Sequence, residues 1–161
     1  MDKGYLLEIR ELERKIDTEK AYLIYEDTFG IVRDFLGQVA LDSSNLDEWQ
    51  IGDEARSAAR SYLEISYGYS RGNVSALKLK DSKIQAWGDI DRFPESDGKL
   101  IRLVLSSLWD KQGYLDSVDS DMQDNYFSTV LVLAYRLDSK LGRAFREFVE
   151  RDQRLKDCRI I

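Results

Sequence analysis

The chain has 161 residues, of which 43% are hydrophobic and 34% charged, and its formal net charge is −6. That balance excludes a disordered segment and leaves enough apolar mass for a globular domain with its own core. Histidine is absent and cysteine occurs once, at Cys158, which excludes a Ser-His-Asp triad, a Cys-His pair, an HExxH zinc site and an internal disulfide.

Proline also occurs once, at Pro94, where an average chain of this length carries about eight. Proline breaks helices, so its scarcity favours long helices over a turn-rich sandwich. No apolar run approaches the roughly 20 residues needed to cross a bilayer. The start, Met1-Asp2-Lys3-Gly4-Tyr5, leads into a charged stretch rather than an apolar signal core, so the cytoplasm is the expected location.

From Tyr5 to about Asp27 the pattern predicts a long amphipathic helix. Tyr5, Ile9, Leu12, Ile16 and Leu23 recur at spacings of three, four or seven, opposite a charged face. The stripe reads as one face of a bundle, with a coiled-coil homodimer through helix 5–23 as the other use of it. Gly30 marks an expected turn, and Ile31, Val32, Phe35, Leu36 and Val39 a short second helix. The polar run from Leu41 to Asp47 reads as a turn, where Ser44 and Asp47 can start a short helical segment. Asp53 is the expected N-cap of a helix running to about Ser66, with Ala55, Ala58, Ala59, Tyr62 and Leu63 on its apolar side.

The stretch 67–93 supports two readings. Val74, Leu77, Ile84 and Trp87 fit a helical period, whereas residues 77–87 also alternate as a short hairpin would. Helix is preferred. Gly88 to Gly98, holding Pro94, is the clearest expected loop. Lys99 to about Asp110 is a helix apolar on most sides, and a second apolar helix follows from Tyr126. Leu103, Val104 and Leu108 on the first and Phe127, Leu131 and Ala134 on the second are expected core. Leu141, Phe145, Phe148 and Val149 line a last helix with a basic outer face.

Three clusters carry candidate function. Asp116, Asp119, Asp121 and Asp124 form the densest acidic run. Their spacing does not match a calcium loop, so no metal is expected. They serve either as helix N-terminal charges or as a patch for a basic partner. Tyr67 and Tyr69 stand near Arg56, Arg60 and Arg71; tyrosine with arginine is typical of protein hot spots and also of base stacking with phosphate contact. Arg143, Arg146 and Arg151 belong to a basic C-terminal stretch that continues through Arg154, Lys156 and Arg159. It is either a solvated helix face or an RNA contact. No GxGxxG or GxxxxGK[ST] cradle is present, and no cofactor is expected.

The expected architecture is therefore a single all-α domain over 1–161, an irregular bundle of five to seven helices. The leading function is a non-catalytic protein-protein interaction module, such as an immunity or inhibitor protein or a chaperone. It would bind a basic partner through Asp116, Asp119, Asp121, Asp124, Tyr67 and Tyr69. The alternatives are an RNA-contacting subunit of a ribonucleoprotein, using Arg56, Arg60, Arg71, Arg143, Arg146 and Arg151, and an enzyme that works with carboxylates alone.

Overall fold

The computed structural model of the protein describes residues 4–17, 25–110 and 126–157. The acidic run Asp116, Asp119, Asp121 and Asp124, the residues 18–24 that would continue the first helix, and Cys158 and Arg159 lie outside the described residues. Among the described residues the chain is all helical, with nine α-helices and no strand. In chain order these are α1 (Gly4–Asp17), α2 (Tyr25–Phe35), α3 (Ser43–Glu48), α4 (Asp53–Ser70), α5 (Ala76–Arg92), α6 (Glu95–Leu105), α7 (Tyr126–Leu137), α8 (Ser139–Arg151) and α9 (Gln153–Asp157). A single wide turn, Leu36–Ala40, closes α2 in a π conformation. The count exceeds the expected five to seven because α3 and α9 are short single turns.

Two compact units emerge from the backbone contacts. One takes in residues up to Ile31 and from Asp116 onward, the other Val32–Leu115. In the first, α7 packs on α8, and α1 lies against both. A chain of rings fills its interior: Phe29 to Tyr126 at 4.5 Å, Tyr126 to Phe127 at 6.0 Å and Phe127 to Phe145 at 6.3 Å between centroids. Leu12, Leu131, Ala134, Phe145 and Leu155 are fully buried. Asp138 separates α7 from α8 because its carboxylate accepts from the Lys140 amide at 3.0 Å and caps the new helix.

In the second unit α4, α5 and α6 pack on one another. Ala55, Ala59, Tyr62, Leu63 and Ser66 line the buried side of α4, while Leu100, Ile101, Leu103 and Val104 are buried on α6. Gly52, not Asp53, stands at the N-cap of α4, with its amide held by Asp97 at 3.1 Å. Asp53 and Glu54 sit inside the first turn, where their charge suits the helix dipole.

The preferred helix is found over 77–87 and the alternative hairpin is not, because those residues lie within α5; Ser75 caps it by accepting from the Lys78 amide at 3.1 Å. Two other local expectations are corrected. The expected loop from Gly88 to Gly98 shrinks to Phe93 and Pro94. Proline forces its predecessor out of the helical region, so Phe93 is extended and α5 ends there. Gly88 and Gly98 are both helical. A methyl on Gly98 would stand 3.1 Å from the Ile90 carbonyl oxygen and 3.2 Å from that of Phe93, so the glycine lets α6 turn back tightly onto the end of α5. Gly30 lies inside α2 rather than at a turn, with the Arg154 guanidinium packed against it.

Candidate functional site

The outer face of α5 is the least conventional surface of the described residues. Its buried residues are Leu79, Ser82, Ala86 and Asp89. Two of the four are polar, and both are satisfied. The Ser82 hydroxyl donates to the Lys78 carbonyl at 2.9 Å, while Asp89 accepts from the Tyr62 hydroxyl and from Arg92. At about 100° per residue, Ile84 stands roughly opposite Ser82 and Ala86. There Leu77 is 68% exposed, Ile84 62% and Trp87 46%. The helical period in Leu77, Ile84 and Trp87 is therefore real, but it marks the solvent side. The helix buries Leu79 and Ala86 on one side and turns Leu77, Ile84 and Trp87 outward on the other.

Cations flank this face. The Arg102 guanidinium lies 4.6 Å from the Trp87 ring, and the Lys83 ammonium 3.2 Å from the Trp109 ring. Burial lowers the Lys83 ammonium below the usual lysine range; Asp110 opposes this and Arg102 adds to it. Lys80 and Asp91 are exposed on the same face and have no partner among the described residues.

The tyrosine-arginine segment is mostly spent inside the unit. The Tyr67 hydroxyl donates to Asp34 at 2.7 Å, and the Arg71 guanidinium lies 5.3 Å from the Tyr67 ring. Burial and the bond to Asp34 push the Tyr67 phenol up to about 12. Tyr69 is partly exposed. Arg56 donates to Asp47 and to the Ile51 carbonyl, both at 2.8 Å. Arg60 is exposed, without a partner among the described residues. Sequence reasoning missed Arg33, which is buried and donates to Ser66 at 2.7 Å; Ser66 donates in turn to the Ser107 carbonyl at 2.8 Å.

The C-terminal arginines divide similarly. Arg146 is held by Glu8, by Glu11 at 2.6 Å and by Glu150 at 3.0 Å. The bond to Glu8 leads in holding its guanidinium above the ordinary arginine value. Arg143 and Arg151 are exposed, and Arg143 bonds the Tyr135 hydroxyl. This arginine set lies in the first unit, whereas Arg56, Arg60 and Arg71 lie in the second.

An open depression on α4 is lined by Asp53, Arg56, Ser57, Arg60, Ser61 and Glu64. Its two acids are eleven residues apart on one helix, or about 16 Å along the axis. That separation is too wide for a joint acid-base pair acting on one bond. Among the described residues, no three acids or cysteines converge as metal ligands, and no helix is long and apolar enough to cross a membrane. No protein-family model matches the chain, and neither curated proteins nor solved structures give a match.

Proposed function

We propose that the chain is a non-catalytic protein-interaction module whose docking surface is the outer face of α5. The observation behind this reading is the second apolar face of that helix. Leu79 and Ala86 are buried with Ser82 and Asp89 on its inner side, while Leu77, Ile84 and Trp87 face water on the other. A fold that only needed a helix at this position gains nothing from exposing three large apolar side chains in a stripe, whereas a partner that covers them recovers hydrophobic free energy. Tryptophan with arginine beside it is also the composition of interface hot spots.

The expected basic partner rested on the acidic run at 116–124, outside the described residues; the α5 face supplies an apolar seam instead. The RNA reading is weakened because Arg56 and Arg146 already have carboxylate partners. Phosphate would have to displace them.

The test is a pull-down from native lysate with tagged wild type, an Ile84→Glu bait and an Arg60→Ala/Arg71→Ala bait, each with and without ribonuclease. The module reading expects a protein, a second copy of the chain included, that survives ribonuclease and is lost only from the Ile84→Glu bait. RNA captured by wild type and lost from the arginine variant would overturn it.

A further inference from the structure

We infer that the occupant of the α5 face is a second copy of this chain, its own α5 running antiparallel across the first. The inference rests on the module reading above and adds the partner.

Five outward positions, Leu77, Lys80, Ile84, Trp87 and Asp91, are spaced three, four, three and four apart, which is the seam of a heptad. Leu77, Ile84 and Trp87 are exposed, and Lys80 and Asp91 have no partner among the described residues.

The charges on the outward face run against the helix's own dipole. No acid occupies the first turn of α5, where Lys78 and Lys80 come early in the helix, while Asp89 and Asp91 come at its end beside Arg92, the one base of the last turn. A lone helix is favoured by the opposite arrangement. Asp89 is accounted for by Tyr62 and Arg92, but Lys80 and Asp91 are not. An antiparallel copy brings the acidic end of one α5 to the basic end of the other.

The register follows from matching the seam. When the two helices cross so that paired residue numbers add to 171, Lys80 of one copy meets Asp91 of the other and Ile84 meets Trp87. The two-fold axis then repeats both pairs. Each seam residue from 80 to 91 thus faces a complement, apolar on apolar and cation on anion. A slip of one heptad sets Leu77 on Trp87 but puts Lys80 on Ile84 and leaves Asp91 without a mate. A parallel pairing sets Lys80 on Lys80 and Asp91 on Asp91, which repels. Gly88, beside the seam, has open space where a side chain would stand, so the second helix can approach closely. A pair of helices this short buries little area, which places the dimer among those that dissociate on dilution.

The experiment is sedimentation velocity of the full chain over a dilution series, with thermal melts of every variant as a folding control. Wild type should show a reversible monomer-dimer equilibrium, and Ile84→Glu should sediment as a monomer with an unchanged melt. Lys80→Glu and Asp91→Lys should each weaken the dimer about tenfold or more, because two symmetry-related contacts turn repulsive. An equimolar mixture of those two variants should restore the dimer as a heterodimer, and the double variant Lys80→Glu/Asp91→Lys should restore it as a homodimer. Loss in each single variant with recovery in the double is what only the antiparallel register produces.

A wild type that stays monomeric at every concentration overturns the inference. So does a dimer untouched by Ile84→Glu, or a mixture or double variant that fails to recover. The module reading is tested separately and survives such a failure: if wild type is monomeric yet Ile84→Glu still loses a captured protein, the face docks something other than this chain. If Ile84→Glu changes neither assay, both readings fall.

Discussion

The Tyr62 hydroxyl donates to one oxygen of the Asp89 carboxylate, and Arg92 donates to the other at 3.0 Å, so a buried acid on α5 is shared between two donors from different sides. Burial first, and then this bond, raise the Tyr62 phenol well above its ordinary value. A buried bond to a charged acceptor contributes about 1.5–3 kcal/mol. Tyr62→Phe keeps the ring and removes only the donor, so urea unfolding should show a loss in that range. A change within about 0.5 kcal/mol, the level of an ordinary surface substitution, would show that water replaces the hydroxyl at no cost.

That pair also shows where the sequence was legible. The all-α class followed from periodicity and scarce proline, and the apolar sides of α4, α6 and α7 were readable because their buried residues are the apolar ones. α5 was legible as a helix but not in its orientation, because periodicity reports a helical face, not its direction. Leu77, Ile84 and Trp87 outweigh Leu79 and Ala86 in hydrophobic content, and the bond that marks the inner side, Tyr62 to Asp89, spans 27 positions, beyond what local spacing can express. The loop over 88–98 was misjudged for a related reason. Gly88 and Gly98, bracketing Pro94, suggested a loop, whereas only Phe93 and Pro94 interrupt the helices and Gly98 serves a close approach. Of the candidate arginines, Arg146 looked like a solvated cation because its acids Glu8 and Glu11 are 138 and 135 residues away in sequence.

Arg146 gives the second prediction. Three carboxylates, Glu8, Glu11 and Glu150, converge on one guanidinium whose side chain is 25% exposed. Arg146→Met keeps much of the apolar stem and removes the charge, leaving three acids to repel one another. The expected loss is about 1–3 kcal/mol, between an exposed pair and a buried one. Urea unfolding of wild type and variant checks it. A loss within about 0.5 kcal/mol, the level of an ordinary surface substitution, would mean that the guanidinium's three carboxylate contacts contribute nothing to stability.

Two glycines in neighbouring helices should respond in opposite ways. Gly88 is helical, exposed and has nothing within 4 Å of the position a methyl would take. Gly88→Ala should therefore stabilise by up to about 1 kcal/mol through helix propensity. Gly98 is helical and buried, and its methyl would press on two backbone carbonyls. The same propensity gain is then offset by overpacking of about 1–3 kcal/mol, so Gly98→Ala should be net destabilising. Melts run at concentrations low enough to keep the chain monomeric compare the two. Like signs would contradict the close approach of α6 to the end of α5.

The Tyr67 phenol, held against Asp34, makes the last prediction one about alkaline pH. Its ordinary value is 10.0, and burial followed by the hydrogen bond to Asp34 push it up to about 12 in the folded chain. The unfolded chain therefore loses this proton first as pH rises. The stabilisation is present in full below pH 10, where both states hold the proton, and is lost as pH rises from 10 through 12. Tyr67→Phe cannot ionise, so it should be less stable than wild type at neutral pH, and its stability should fall less steeply across that window. Ultraviolet difference titration of the folded protein should show one late phenol fewer in the variant. Tyr62 remains late in both, since it is raised independently by Asp89. If Tyr67→Phe and wild type lose stability in parallel from pH 10 to 12, the alkaline sensitivity belongs to other groups, and the hydroxyl's bond to Asp34 contributes nothing to folding.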